Sequence, residues 1–166
     1  MPASKIKIAD DNQPNEELLE AYLAGVDCEI AVAADGHETL QKVDQFKPDL
    51  ILLDIMMPKL SGFEVCRTLK ANPATSHIMI LMVTALGESG DIERAVAAGC
   101  NDFLSKPINK LDFLNRVEIL LELRHVKDEL ERLRRYIDEM ERDRPKRKPE
   151  GEKGRKGEGE KGRSRT

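Results

Sequence analysis

The sequence lacks any apolar run that approaches the roughly 18 residues needed to span a bilayer. The amino terminus, Met-Pro-Ala-Ser-Lys, also lacks the apolar core of a secretory signal peptide. Three cysteines are scattered along the chain, and none belongs to a Cys-x-x-Cys pair. They predict small buried side chains in a reducing compartment rather than a redox role. Together these absences predict a soluble, cytoplasmic protein.

Acidic residues outnumber basic residues outside the carboxyl-terminal end. The whole chain has 27 Lys and Arg against 31 Asp and Glu, and residues 145–166 hold nine of the basic and four of the acidic side chains. Residues 1–144 therefore carry 18 basic and 27 acidic side chains, a net charge of −9. This acidity argues against nucleic acid as the main ligand of the folded part. The tail, residues 145–166, cannot build a core and is predicted to be disordered, which leaves its binding to nucleic acid or another anionic partner open.

Five short strand-like runs alternate with amphipathic stretches, and the runs cover residues 5–9, 28–33, 50–53, 78–83 and 101–105. The third run, Leu50 to Leu53, is wholly aliphatic, which is typical of a strand buried on both faces of a parallel sheet. Asn15 or the turn before it can cap the first helix. The alternation predicts an α/β fold with a doubly wound, five-stranded parallel sheet, flavodoxin-like in its strand order 2-1-3-4-5, and an extended carboxyl-terminal helix.

Polar residues follow four of the predicted strands, namely Asp10 and Asp11, then Asp54, Thr84 and Lys106. We expect these side chains to converge, because the carboxyl ends of parallel strands share one edge of the sheet. Three crowded carboxylates repel one another, and Mg²⁺, which prefers oxygen ligands, would remove that conflict. Asp54 could then attack phosphorus to form an acyl phosphate, with Lys106 and Thr84 as donors to its oxygens.

These positions resemble the receiver domain of two-component response regulators: Asp-Asp after the first strand, Asp-x-x-x-Pro after the third, Thr-Ala after the fourth and Lys-Pro after the fifth. The resemblance covers roughly residues 5–124 and includes the segments 34–40, 57–64 and 98–104. It is close to receivers that precede cyclic-dinucleotide signalling enzymes. It implies a phosphoacceptor signalling domain rather than an enzyme, served by a histidine kinase or a histidine phosphotransfer protein.

The resemblance also assigns residue roles. It implies that Asp54 is the phosphoacceptor and that Lys106 binds the phosphoryl group. It also implies that the Lys106–Pro107 peptide bond is cis. It further implies that Thr84 and Phe103 are switch residues. The implied Mg²⁺ ligands are Asp10, Asp11, Asp54 and the main-chain carbonyl of Met56.

The sequence excludes two other classes of phosphate-binding protein, because it lacks residues that each class requires. A Rossmann dinucleotide site needs a glycine-rich first turn, whereas this turn is Asp10-Asp11-Asn12-Gln13-Pro14. Phosphatases of the haloacid dehalogenase type use an aspartyl nucleophile with a second aspartate two residues later. That position is Met56, which cannot act as a general acid.

The last helix carries a heptad pattern beyond the usual end of a receiver. Its apolar residues recur at alternating spacings of four and three: Ile119, Leu123, Val126, Leu130, Leu133, Ile137 and Met140. In a parallel dimer, Glu122 would face Lys127 of the other chain and Glu129 would face Arg134, which favours a parallel two-stranded homodimer. A single solvated helix folded back on the receiver, and an antiparallel or heteromeric coil, remain alternatives.

The predicted organisation is a receiver over residues 1–123, a coiled-coil extension over 124–144 and the charged tail over 145–166. The predicted function is a response regulator of a two-component phosphorelay that signals through surface change and coiled-coil dimerisation. The alternative is a constitutive dimeric scaffold or adaptor whose coil and basic tail bind a partner independently of phosphorylation. The sequence names neither the kinase nor the downstream target.

Overall fold

The computed structural model describes residues 3–85 and 89–145. The strands are β1 (Ser4–Ala9), β2 (Cys28–Ala33), β3 (Leu50–Asp54), β4 (Met79–Thr84) and β5 (Asp102–Ser105). The helices are α1 (Gln13–Tyr22), α2 (Gly36–Phe46), α3 (Gly62–Ala71), α4 (Ser89–Ala98) and α5 (Lys110–Arg142), with a short 3₁₀ turn at Leu23–Gly25. The predicted disordered tail lies outside the described residues from position 146 onward.

The five strands form one parallel sheet in the order β2-β1-β3-β4-β5. This confirms the predicted fold class and strand order. Every residue of β3 and of β4 is buried, as expected for central strands that are covered on both faces.

Two apolar layers cover the two faces of the sheet. On one face, Leu19 of α1 and Phe113, Val117 and Leu120 of α5 pack against alternate residues of the strands. On the other face, the layer is formed by helices α2, α3 and α4, through Val43, Phe63, Val65, Cys66, Leu69, Ala95 and Ala98. Because α5 takes part in the first layer, its amino-terminal half belongs to the receiver core.

Polar side chains at the loop ends start four of the helices. Asn12, Asp35, Ser61 and Asn109 each accept a hydrogen bond from the backbone N–H three residues further along, at 3.2, 2.8, 3.3 and 3.0 Å. The cap of α1 is therefore Asn12, in the turn before Asn15. Each cap ends its loop after a few residues and so keeps the carboxyl edge of the sheet compact.

Two arginines tie α5 to the sheet. Arg116 Nη1 lies 2.8 Å from both carboxylate oxygens of Asp102 in β5. Arg124 Nε lies 3.8 Å from Asp49, at the entry to β3, and its Nη1 lies 2.8 Å from Asp128. These ion pairs hold α5 against the sheet at both ends of its buried segment.

Contacts group the described residues up to Asp128 into one compact unit and those from Glu129 onward into a second. Helix α5 continues without interruption from Lys110 to Arg142. The predicted domain boundary after residue 123 remains a prediction. None of the helices within residues 3–85 and 89–145 has the length and apolar character of a membrane span.

Candidate functional site

Three carboxylates meet at the carboxyl edge of the sheet. Asp10 and Asp11 directly follow β1, and Asp54 is the last residue of β3, the strand that pairs with β1. One carboxylate oxygen from each residue lies within 4.8 Å of those from the other two. The structure therefore brings together the three acidic residues that the sequence singled out.

Asp54 is held in place by the backbone around it. Its side chain is almost fully buried, and its Oδ1 accepts a hydrogen bond of 3.3 Å from the Met56 N–H. The start of α3 packs directly on this turn, because the Gly62 N–H donates to the Ile55 carbonyl at 2.9 Å. A Cβ on Gly62 would lie 2.4 Å from the Asp54 carbonyl oxygen, so only glycine fits this close approach.

Asp10 is held in place through its backbone N–H and through its carboxylate. Its N–H donates to the Ala33 carbonyl at the end of β2 at 3.1 Å, and its Oδ1 accepts from the Asn12 N–H at 2.9 Å. Its other oxygen, Oδ2, faces Lys106. Asp10 is buried, whereas Asp11 is exposed at the rim of the site.

Lys106 supplies the positive charge of the site. Its Nζ lies 3.5 Å from Asp10 Oδ2 and 3.7 Å from Asp54 Oδ2. Its backbone N–H donates to the Thr84 carbonyl at 2.7 Å, which ties the loop after β5 to the end of β4. The Lys106–Pro107 bond is cis, as the resemblance implied.

The electrostatics of the site favour an added positive charge. Burial, and then the negative charge of Asp10, raise the pKa of Asp54 to about 6, although Lys106 opposes the rise. One ammonium group thus leaves the three carboxylates under-compensated. Hard oxygen donors in this number and spacing fit a divalent cation such as Mg²⁺.

The remaining predicted site residues lie on β4, on β5 and in the turn after β3. Thr84 is fully buried at the end of β4, where it pairs with Ser105 of β5. Phe103 of β5 is partly buried against the α2–α4 layer. The Met56 side chain is exposed. The switch roles of Thr84 and Phe103, and the Met56 carbonyl as a ligand, remain predictions.

Sequence reasoning missed two contributors to the site. The Met56 N–H is a main-chain group, so its hydrogen bond to Asp54 cannot be predicted from the residue type. Gly62 had a usable signal, because a Ser-Gly pair between a buried strand and a helix indicates a cap followed by close packing.

Residues 6–118 match the family described as the response regulator receiver domain. The chain is a member of the response regulator receiver domain family. It is 41% identical over 128 residues to the response regulator PleD of Caulobacter vibrioides, an alignment that covers 77% of this chain and 28% of PleD. The chain spans less than a third of the length of PleD.

Solved receiver domains share the fold and include one with a metal. The receiver domain of a signal transduction histidine kinase from Syntrophus aciditrophicus is 29% identical, with a TM-score of 0.68, covering 72% of this chain and 91% of that one. The receiver domain of a sensor histidine kinase from Pseudomonas aeruginosa is 27% identical, with a TM-score of 0.67, covering 72% and 98%. The second structure has a magnesium ion coordinated in its active site cleft. The acidic triad of the present receiver domain is placed like such a site.

Proposed function

We propose that this receiver domain accepts a phosphoryl group on Asp54 from a histidine kinase or a histidine phosphotransfer protein. One observation carries the proposal: the buried Asp54 carboxylate lies beside two further carboxylates and 3.7 Å from the Lys106 ammonium. A carboxylate in that setting has a nucleophilic oxygen and a donor for the oxygens of an incoming phosphoryl group.

The reaction is a transfer between two nucleophiles. A carboxylate oxygen of Asp54 attacks phosphorus, and the phosphorus–nitrogen bond of the phosphohistidine breaks with its electron pair going to the imidazole. The product is an acyl phosphate on Asp54. Lys106 would hold one phosphoryl oxygen and Thr84 another, and Phe103 would change its packing as Thr84 moves.

Asp10, Asp11 and Asp54, with the main-chain carbonyl of Met56, would hold Mg²⁺. The ion, when bound, would supply positive charge that offsets the carboxylates and binds phosphoryl oxygens. Without it, one ammonium group faces three acidic side chains, so we expect phosphorylation to require the ion.

Phosphoryl uptake from acetyl phosphate tests this function. The wild-type chain should gain the mass of one phosphoryl group in the presence of Mg²⁺, and EDTA should prevent the gain. Asp54→Asn should abolish uptake. Asp44→Asn, a matched change at an exposed position of α2, should leave it intact. Equal phosphoryl uptake by Asp54→Asn and wild type would contradict the proposal.

We further propose that the output is dimerisation through the carboxyl-terminal part of α5. Seven apolar side chains recur along this helix, and each is 47–60% exposed in the single chain: Ile119, Leu123, Val126, Leu130, Leu133, Ile137 and Met140. Exposed apolar residues in a heptad pattern favour a second helix as their cover. The 33-residue helix would be about 50 Å long, at about 1.5 Å per residue.

A beryllofluoride titration followed by light scattering tests whether the phosphoryl site controls this output. We expect binding at Asp54 to change the mass or the shape of the particle. If the chain is dimeric and unchanged when the mimic is bound, the alternative function gains support: a constitutive scaffold or adaptor whose coil acts independently of phosphorylation.

A further inference from the structure

Lys7 is a charged residue in the middle of a buried strand. It lies on β1, where it pairs with Ala31 of β2 and Ile51 of β3, and only 1% of its surface is exposed. A lysine so deeply buried is unusual unless an acidic group compensates it. Its Nζ keeps a small contact with solvent, since it is not among the fully buried polar atoms that lack a hydrogen bond, and an acidic partner would compensate its charge.

No such partner exists in the part of the chain that the structure describes, residues 3–85 and 89–145. There the Lys7 ammonium forms no ion pair and no hydrogen bond. Glu38 acts on Lys7 only at longer range, and it is already engaged by Lys42 Nζ at 2.8 Å and by the Ala34 N–H at 3.2 Å. Burial, and then the like charge of Lys42, lower the pKa of Lys7, consistent with an uncompensated ammonium.

Lys7 opens onto a groove that could admit a ligand. The groove has a volume of about 320 Å³ and lies between α2 and β2, an edge strand of the sheet, with Lys7, Ala31, Val32, Lys42, Gln45 and Phe46 as its lining. This volume is at the small end of the range for ligand pockets, which run from about 300 to 1,000 Å³. The groove is therefore large enough for a small molecule.

The charges and walls of the groove restrict the ligand further. Glu38 matches the charge of Lys42, which leaves one unmatched positive charge at Lys7. Lys5 adds positive potential nearby, because its Nζ lies 5.5 Å from the centroid of the Phe46 ring. Ala31, Val32 and Phe46 offer apolar contact. One unmatched ammonium beside apolar walls is complementary to a single carboxylate on an apolar body.

We propose that the groove between β2 and α2 is a binding site for a small organic monocarboxylate, whose carboxylate pairs with the Lys7 ammonium. The apolar body of the ligand lies against Val32 and Phe46, and the Gln45 amide can hydrogen-bond to a second polar group. This site is separate from the acidic cluster at Asp54 and does not depend on phosphorylation.

Benzoate, observed by ¹H–¹⁵N NMR of the full chain, is the test ligand. We expect saturable shifts confined to the amides of β1, β2 and α2 near the groove. Benzamide, which has the same shape without the charge, should bind at least about tenfold more weakly, because a charge-assisted hydrogen bond is lost. Inorganic phosphate should not saturate the same amides.

Lys7→Met keeps the length of the side chain and removes the charge. It should weaken benzoate binding by at least about tenfold, whereas Lys110→Met, an exposed lysine at the start of α5, should not change it. The proposal is overturned if wild type shows no saturable shift, if benzamide or phosphate binds as well as benzoate, or if Lys7→Met binds unchanged. Amide dispersion of Lys7→Met in the same spectra verifies that it folds.

Discussion

The negative charge of Asp54 is energetically unfavourable, because burial and the neighbouring Asp10 both favour the neutral carboxyl group. The Met56 N–H and the Lys106 ammonium offset part of this cost. A cation bound at the same place can relieve the conflict, because it offsets the negative charges of the neighbouring carboxylates. The stability of the chain should therefore depend on what is bound at Asp54.

Asp54→Asn should stabilise the protein in the absence of divalent cations. We expect the free energy of unfolding to rise by about 1 kcal/mol, because an unfavourable buried charge is removed and the shape is kept. Chemical denaturation in EDTA measures this change. Added Mg²⁺ should then stabilise wild type more than Asp54→Asn, and the account is contradicted if both gain equally.

Lys7 carries the opposite charge, and burial disfavours that charge as well. Its pKa is lowered in the folded state, so the unfolded chain binds more protons between that lowered value and the ordinary 10.5. Protonated Lys7 therefore lowers the free energy of unfolding, and this loss disappears as the pH rises. Glu38 and Lys42 are the charged groups that act on it most directly.

Lys7→Met should raise the free energy of unfolding near neutral pH by about 1 kcal/mol, because burial of the side chain disfavours its charged form and an apolar chain replaces it. The gain over wild type should shrink as the pH approaches 10. Denaturation of both proteins across this range checks the sign. A gain that is constant with pH would show that packing, rather than charge, is responsible.

At the scale of elements, the site depends on how closely α3 packs against the end of β3. Gly62 begins α3, and a methyl group there would meet the Asp54 carbonyl oxygen at 2.4 Å and the Ile55 Cα at 2.8 Å. Neither atom can move without moving the strand that carries Asp54. The packing of α3 therefore determines the position of Asp54, the proposed phosphoacceptor.

Gly62→Ala should destabilise the protein by about 2 kcal/mol, because the clash involves backbone rather than a flexible side chain. It should also reduce phosphoryl uptake by displacing Asp54. Gly25→Ala is the control, since a Cβ at Gly25 meets nothing within 4 Å. Thermal unfolding and acetyl phosphate labelling of both variants provide the comparison. Similar behaviour of the two variants would argue against the role given to Gly62.

The sequence allowed the acidic cluster and its lysine to be predicted because each of these side chains stands at or just after the end of a strand. The wholly apolar β3 and β4 identified the sheet interior, and parallel strands bring their carboxyl ends together. The burial of Lys7 was not predictable in the same way. Its strand, Lys-Ile-Lys-Ile, alternates like one with a solvent-exposed face, and only the packing of α2 over β1 covers that face. The Met56 N–H likewise needed the backbone path after β3.

At the scale of the whole molecule, α5 belongs to the receiver core and also carries the exposed heptad residues. Phe113, Val117 and Leu120 are buried against the sheet, while the heptad residues from Leu123 to Met140 are 47–60% exposed. Helix α5 runs from Lys110 to Arg142, so the receiver core and the proposed dimer seam share residues of one helix.

Charge reversal tests the pairing that we infer for the dimer. Glu122→Lys with Glu129→Lys should weaken a parallel dimer about tenfold or more, because both cross-chain pairs, with Lys127 and Arg134, become repulsive. Glu118→Lys with Glu139→Lys changes the net charge equally at positions outside the seam and should have little effect. Sedimentation at several concentrations measures both. Adding Lys127→Glu and Arg134→Glu should restore the first variant, and a failure to restore it points to an antiparallel or heteromeric coil.

The central claim is that Asp54 itself carries the phosphoryl group. The most direct measurement is borohydride reduction of the chain after labelling with acetyl phosphate and Mg²⁺, followed by peptide mass mapping, because reduction of an aspartyl phosphate leaves homoserine at the modified position. The account predicts homoserine at position 54 alone. Homoserine at position 10 or 11, or no reduction product from a labelled chain, would contradict it.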